Sequence, residues 1–193
     1  VSHPVMNTVN QVKVAGTRTG MISVENLSLQ NVTQLLYDAA NGSREKVVAL
    51  AELVYEKTRG NAFFARQFLK LIYEEKLLQF DFATSSWQWN TDRIREKNIT
   101  DNVVDLMAAK IQRLPGETQE LMKIGSCIGN AFSYEVLSMV MQKNYESLVS
   151  DLHAAFKEGL VVPMGEDKMK FSHDRIQQAV YSLIPGDEKV NAH

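Results

Sequence analysis

The apolar residues of this chain follow a helical period almost throughout, but they switch to a period of two at two places. The first is LLQFDF–ATSS–WQWN, where a four-residue polar loop separates two alternating runs, and it predicts a β-hairpin over 78–90. The second is GLVVPM–GED–KMKF, with Gly165 in its turn. We therefore expect a mainly α fold with two β-hairpins, the first of which covers a helical bundle.

Three helices joined by short turns are predicted before the first hairpin. Val32, Leu35, Leu36 and Ala39 have the spacing of an amphipathic helix. The second helix is expected from about Arg44 to Thr58, and the third is FFARQFLKLIYEEKLL. Short connections between amphipathic helices favour a small bundle.

The helical period restarts at Thr100, which is expected to cap a helix that Pro115 stops. Further helices are predicted at ETQELMKIGSCI, at about 134–141, at 145–158 and from Ser172 or His173 to Ile184. Several helices, a two-stranded wing and a closing helix describe a winged-helix domain.

The first 30 residues read differently. A short helix is predicted over 7–15, a turn over 16–20, and a strand over 21–27 (MISVENL). One strand cannot form a sheet, so we expect this strand to belong to a larger one. The polar opening segment without an initial Met suggests an excerpt from a longer chain.

Composition and charge narrow the function classes. The 193 residues are 45% hydrophobic and carry 21 basic and 23 acidic side chains, a net charge of −2, without an obvious basic face for nucleic acid. No apolar run approaches the roughly 18 residues that cross a bilayer. Membrane and nucleic-acid partners are therefore not expected. Cys127 is the single cysteine and cannot form an internal disulfide, so a reduced, cytoplasmic setting is expected.

Three long segments resemble one family. KTRGNAFFARQFLKLIYEEKLLQFDFATSSWQWN, ITDNVVDLMAAKIQRLPGETQELMKIGSCIGNAF and FSHDRIQQAVYSLIP are similar to the STAND/AAA-type ATPase module of multidomain serine/threonine kinase and sensor histidine kinase signalling proteins. The resemblance implies an NTPase-core remnant over 1–30, a helical lid over 31–99, a winged helix over 100–185, and the start of a linker over 186–193.

The sequence lacks the catalytic motifs of such proteins. It contains no G-x-x-x-x-G-K-[ST] and no Walker B strand, and no H-R-D or D-F-G. We expect ATP or ADP, with Mg²⁺, to bind in a parent module rather than tightly to these residues. The implied partners are the NTPase core and flanking kinase and repeat domains, and no catalytic residue is assigned here.

Two short motifs are candidate nucleotide contacts. Gly60 and Asn61 lie where the family resemblance places a G-x-P turn against adenine, although Ala62 replaces the proline. Glycine after one helix and an asparagine N-cap before the next also explain them as a plain turn. His173 and Asp174 resemble a Met-His-Asp motif whose histidine reaches the ADP β-phosphate.

Physical chemistry allows two interpretations of that second motif. In the first, His173 sits in a first helical turn with free N–H groups, and Asp174 orients its imidazole. In the second, Ser172 caps the helix, Asp174 complements the dipole, and His173 is a surface residue.

The other candidates are weaker. His153 is expected to be a partly buried polar residue, and the four histidines and one cysteine show no zinc spacing. The helix SYEVLSMVM would be the recognition helix of a DNA-binding winged helix, but it carries Glu135 and no Arg or Lys.

The sequence thus predicts a regulatory, nucleotide-sensing lid and winged helix of a signalling kinase, not catalytic by itself. The alternatives are a protein-interaction scaffold without nucleotide contact, and a DNA-binding winged helix.

Overall fold

The computed structural model describes residues 4–18, 20, 22–40 and 44–186, which form ten helices and five short strands. The helices are α1 Pro4–Val14, α2 Leu29–Ala40, α3 Arg44–Thr58, α4 Ala62–Glu74, α5 Thr91–Glu96, α6 Val103–Ile111, α7 Gly116–Ile128, α8 Tyr134–Met141, α9 Tyr145–Lys157 and α10 Asp174–Ser182. The strands are β1 Leu78–Asp81, β2 Ser86–Trp89, β3 Ala131–Ser133, β4 Val161–Met164 and β5 Lys168–Phe171. Among these residues, no helix is both long enough and apolar enough to cross a membrane.

Helices α2 to α5 and the hairpin β1–β2 form the N-terminal bundle. Helix α3 packs against α2, α4 and α5, and β1 lies against α4. The strands pair antiparallel from Leu78–Trp89 to Asp81–Ser86, so the predicted hairpin is observed. Leu78, Trp87 and Trp89 pack against the buried core, as expected of a cover. Helix α5 was not predicted because six residues are too short to show a helical period.

Helices α6 to α10 and the second sheet form the C-terminal half. The sheet has the antiparallel order β3-β5-β4, and its β4–β5 hairpin matches the alternation in the sequence. Strand β3 was not predicted because it has only three residues, of which Phe132 is buried. Helix α10 closes this half by packing on α6, α7 and β5.

Two predicted boundaries near residue 100 are wrong. Asn102, not Thr100, caps α6, because its Oδ1 accepts the Val104 N–H at 2.9 Å while the Thr100 hydroxyl oxygen accepts the Asn102 N–H. Helix α6 ends at Ile111, before Pro115, which instead occupies the N-cap position of α7. Proline suits a helix start because the first N–H groups have no partner within the helix.

The N-terminal prediction is partly wrong. Helix α1 overlaps the helix expected over 7–15, but 22–27 form no strand, and Met21 lies outside the described residues. We call residues 22–28 the strap, because two of them, Asn26 and Leu27, bond to the corner between α3 and α4. Asn26 donates its Nδ2–H to the Arg59 carbonyl at 3.1 Å, and Leu27 donates its N–H to the Gly60 carbonyl at 2.8 Å. Those bonds replace the sheet partner that the sequence required.

The two halves share a contiguous set of buried side chains, but their elements pack mainly within each half. Two side-chain contacts that connect them involve α4, which stacks Phe63 on His173 at its first turn and pairs Lys70 with Glu158 nearer its end. Lys57 of α3 adds a bond from Nζ to the Ile99 carbonyl at 2.8 Å. Helix α4 is thus a principal contact between the halves.

Candidate functional site

The corner between α3 and α4 has the backbone that its sequence predicts. Gly60 has φ +73°, in the left-handed region that favours glycine. Asn61 is the N-cap of α4, since its Oδ1 accepts the Phe64 N–H at 2.9 Å. The plain-turn interpretation therefore accounts for both residues, whether or not a nucleotide approaches them.

Gly60 is buried beneath the strap. A Cβ added there would overlap the Leu27 carbonyl oxygen and lie 2.9 Å from the Leu27 carbonyl carbon. Its own carbonyl already accepts the Leu27 N–H. The strap thus covers Gly60, and the exposed Ala62 is the part of the corner that a ligand could reach.

His173 is the N-cap of α10, outside the helix rather than in its first turn. Its backbone is extended, with φ −159° and ψ 145°, and its Nδ1 accepts the Arg175 N–H at 3.1 Å. The prediction that Ser172 caps the helix is wrong, because the Ser172 hydroxyl donates to the Gly159 carbonyl at 2.6 Å. An imidazole nitrogen takes the place that a hydroxyl or amide oxygen usually occupies.

The first turn of α10 also differs from the prediction of free N–H groups. The Arg175 N–H bonds to the His173 ring, and the Ile176 N–H bonds to the His173 carbonyl at 2.9 Å. Asp174 is exposed, and among the described residues it makes no hydrogen bond to the imidazole. The ring is oriented by the Arg175 N–H and not by Asp174, whose charge favours the helix start but opposes a nearby anion.

Phe63 brings the two predicted motifs together. Its ring stacks on that of His173, with centroids 4.1 Å apart and planes 12° apart. Phe63 belongs to the first turn of α4, two residues after Asn61, so the α3–α4 corner and the start of α10 are neighbours. The one hint of this contact in the sequence is that Phe63 lies beside the stripe that Phe64 and Phe68 form, which places an aromatic ring at the edge of the buried face of α4.

A second contact between the halves lies farther along α4. The Glu158 carboxylate oxygen Oε2 is 3.0 Å from Lys70 Nζ and 2.8 Å from Lys110 Nζ. The ammonium groups of Lys110 and then Lys70 lower the pKa of Glu158 to about 2. Burial lowers the pKa of Lys110, whose side chain is 17% exposed. Sequence reasoning missed this cluster because its members lie on α4, on α6 and directly after the end of α9.

The cleft beside this cluster is not a nucleotide site. It lies between α4 and α6, is lined by Leu71, Met107 and Lys110 among others, and has a volume of about 80 Å³. Pockets for drug-sized ligands start near ~300 Å³. The cleft therefore has no direct bearing on nucleotide binding.

The surface that could meet DNA is not basic. Helix α9 directly precedes the β4–β5 hairpin, so it is a second candidate recognition helix beside the predicted α8. It carries Glu146 and Asp151 against Lys157. A neighbouring cleft of about 450 Å³ is lined by Ser133, Tyr134, Glu135, Tyr145, Asp167 and Lys168. Acidic side chains on both helices disfavour phosphate contacts.

The remaining candidate histidine is a surface residue. His153 is exposed on α9, so the prediction that it is partly buried is wrong. The helix turns Leu152 and Ala155 inward and His153 away from the core. Among the residues that the structure describes, no group of three potential metal ligands occurs.

Similarity to known proteins gives this geometry a context. The chain is 27% identical to "Hybrid signal transduction histidine kinase G" of Dictyostelium discoideum over 91% of its length, and 24% identical to "Peroxide stress-activated histidine kinase mak3" of Schizosaccharomyces pombe, again over 91%. It spans 6% and 8% of the length of these two relatives. No family model and no solved structure matches the chain. The chain is therefore similar to one segment of large histidine kinases in signal transduction.

Proposed function

We propose that this chain is the nucleotide-sensing lid and winged helix of a STAND-type ATPase module in a multidomain signalling kinase. His173 is the sensor of the ADP phosphate, and the α3–α4 corner faces the base. The chain regulates and does not catalyse. The support comes from the resemblance of its motifs, its similarity to two histidine kinases, and the geometry of one ring pair.

The stack of Phe63 on His173 is the observation that carries the proposal. Phe63, two residues after Asn61, has its ring centroid 4.1 Å from that of His173, so two motifs that are far apart in sequence are neighbours in the fold. One ADP molecule between a missing core and this surface could then touch both. An arrangement with the motifs on opposite faces would have left no place for a shared ligand.

The topology of the C-terminal half supports the winged-helix part. Helix α7, strand β3, helices α8 and α9 and the hairpin β4–β5 follow in the order of helix, strand, two helices and wing. Helix α10 begins directly after β5, which sets His173 at the junction of sheet and helix. A movement of this half would therefore carry His173 with it.

The residues present fit part of an ADP site. In the neutral ring the proton lies on Nε2, because Nδ1 accepts the Arg175 N–H, and Nε2–H can donate to a phosphate oxygen. Gly60 is covered by Leu27, so a base would approach Ala62 and Asn61 instead. The phosphate-binding lysine and the Mg²⁺ ligands would come from the core, and with them the hydrolytic chemistry.

The contacts between the halves suit a switch. The elements of each half pack mainly with one another, and α4 reaches the C-terminal half through a ring stack and ion pairs. The two halves also share buried apolar side chains, so a movement between two states would repack that shared core as well as break the ring stack and the ion pairs. Loss of the ADP contacts would let the C-terminal half swing and signal to flanking domains.

The test measures release of a fluorescent ADP from the longer protein that contains this chain. His173→Asn keeps a side-chain acceptor for the Arg175 N–H but removes the Nε2 donor, and His173→Ala removes both. We expect both variants to release ADP at least ~tenfold faster, the equivalent of about 1.4 kcal/mol. His153→Ala, an exposed histidine on α9, is the matched control. Unchanged release from His173→Asn would refute the sensor role.

A protein-interaction scaffold is the second candidate. Ala62 lacks the ring that the resemblance expects, and α8 exposes Met139 and Val140 at 64% and 57%. Adjacent apolar side chains that a helix leaves exposed can form part of a protein-contact surface. If the preceding sequence of the longer protein lacks a Walker A lysine and the protein retains no ADP, the scaffold is favoured.

A further inference from the structure

The Phe63–His173 pair does more than connect two halves of the chain. The imidazole of His173 is held in two ways: one ring face lies on Phe63, and Nδ1 accepts the Arg175 N–H at 3.1 Å. The stack fixes the plane of the ring, and the hydrogen bond fixes its rotation within that plane. Together they determine where Nε2 lies.

The hydrogen bond also selects a tautomer. A nitrogen that accepts a hydrogen bond carries no proton, so neutral His173 has its proton on Nε2. Among the described residues, Nε2 makes no hydrogen bond, which leaves its N–H available for a ligand. If the ring turned over about the Cβ–Cγ bond, Nδ1 would leave the Arg175 N–H and this tautomer would lose its support.

We infer that Phe63 is a positioning residue for His173: its ring keeps the imidazole in the plane in which Nδ1 meets the Arg175 N–H, and so keeps Nε2–H presented as the donor. Phe63 is itself fixed from the other side. Asn61 caps the turn in which it lies, and Leu27 of the strap lies on Gly60. The Asn61 cap and the strap therefore hold the backbone of the corner from which Phe63 projects.

Phe63 is half-buried and packs at the edge of the core, so its role as a ring must be separated from its role as apolar volume. Its neighbour Phe64 is 3% exposed and lies in the core. A core residue acts through the apolar volume that it fills, so leucine replaces phenylalanine there at moderate cost. A positioning residue of this kind needs a flat ring, since only a ring offers a face on which an imidazole stacks.

The experiment records nitrogen chemical shifts of the His173 imidazole by NMR in this chain, with Phe63→Leu, Phe63→Tyr and Phe64→Leu. The starting chain should show the two distinct nitrogen shifts of a single Nε2–H tautomer. Phe63→Leu should move both shifts towards a common averaged value, and Phe63→Tyr should restore them because it keeps the ring. Phe64→Leu is the control for lost volume and should leave the tautomer unchanged. Unaltered His173 shifts in Phe63→Leu would overturn the inference.

A second measurement separates this inference from the proposed function on which the ligand assignment rests. In the longer protein, Phe63→Leu should speed ADP release several-fold and Phe63→Tyr should restore it. If the shifts change but ADP release does not, the positioning role stands and the nucleotide-sensing function falls. If ADP release accelerates while the tautomer is unchanged, the positioning role is wrong and the corner acts by another contact.

Discussion

Leu27 donates its backbone N–H to the Gly60 carbonyl at 2.8 Å, and its own carbonyl oxygen fills the space where Gly60 would carry a Cβ. Both sides of this contact are backbone atoms, so neither can move aside by a change of side-chain rotamer. The strap and the α3–α4 corner are therefore one unit, and glycine is required there for two reasons. One is the positive φ, and the other is the close approach.

Gly60→Ala tests these two reasons together. The left-handed backbone costs an alanine roughly 1–2 kcal/mol, and displacement of Leu27 adds to that. We expect the free energy of unfolding in urea to fall by about 2–4 kcal/mol in total.

Gly159→Ala is the matched control, because Gly159 has φ +67° but no atom within 4 Å of an added Cβ. It should lose only about 1–2 kcal/mol, the backbone contribution alone. Equal losses in the two variants would mean that the strap does not hold the corner in solution.

A second prediction concerns which residue begins α10. His173→Ala removes the acceptor of the Arg175 N–H and should accelerate hydrogen exchange of the Arg175 amide, with a loss of about 1 kcal/mol for the cap and a similar amount for the ring stack. His173→Asn should restore the protection of that amide but not the stability from the stack.

Ser172→Ala provides the comparison. It removes the hydroxyl bond to the Gly159 carbonyl and should cost about 1 kcal/mol without changing exchange at Arg175. Faster exchange at Arg175 in Ser172→Ala would restore Ser172 as the cap.

The difference between sequence and structure at this helix has a physical cause. The pattern Ser-His-Asp before an apolar stripe predicts a helix start, and the start is where it was expected. The pattern cannot decide between Ser172 and His173, because both side chains can accept an N–H bond. Only the β5 strand before it settles the choice, by directing the Ser172 hydroxyl towards Gly159.

Across the whole fold, too, local sequence patterns locate elements but do not determine their contacts. Local periodicity predicted most helices and both hairpins, since each buries a face that the sequence displays. It missed β3, whose three residues are too few to show a period. It placed a strand at 21–27, where the described residues form no strand and Leu27 instead bonds to Gly60. The Phe63–His173 stack and the Glu158 cluster join distant residues, so local patterns carry no direct sign of them.

The Glu158 cluster predicts a pH dependence with a definite sign. Lys110 and Lys70 lower the pKa of Glu158 from 4.5 to about 2, so the ionised carboxylate stabilises the folded chain at pH above 4.5. That contribution decreases as pH falls below 4.5 and is lost through about 2. Since the side chains of Glu158 and its two lysine partners are partly exposed, we expect Glu158→Gln to lower the free energy of unfolding by about 1 kcal/mol at pH 7.

The measurement compares urea unfolding of Glu158→Gln and the starting chain from pH 7 to 3. The difference should shrink below about pH 4.5, and high salt should reduce it at pH 7. Glu166→Gln, at an exposed turn between β4 and β5, should show little difference at any pH. A Glu158→Gln difference that grew on acidification would mean that the carboxylate is destabilised by burial instead.

The last prediction tests whether β3 belongs to the core. Gly125 of α7 is buried, and a Cβ there would lie 2.8 Å from the Phe132 ring carbon Cζ. Phe132 is 3% exposed and lies against Phe171, with ring centroids 5.3 Å apart, so its ring has little room to yield. Gly125→Ala should therefore lower the free energy of unfolding by about 1–3 kcal/mol, despite the better helix propensity of alanine.

The double variant Gly125→Ala with Phe132→Leu distinguishes this clash from a general effect on α7. Leucine removes the ring atoms that the new Cβ would meet, so the double variant should lose less than the sum of the single losses, by at least about 0.5 kcal/mol. Gly116→Ala, at the exposed start of the same helix with no atom within 4 Å of an added Cβ, should be neutral or slightly stabilising. Strict additivity of the Gly125 and Phe132 changes would mean that the Phe132 ring does not pack against Gly125 in solution.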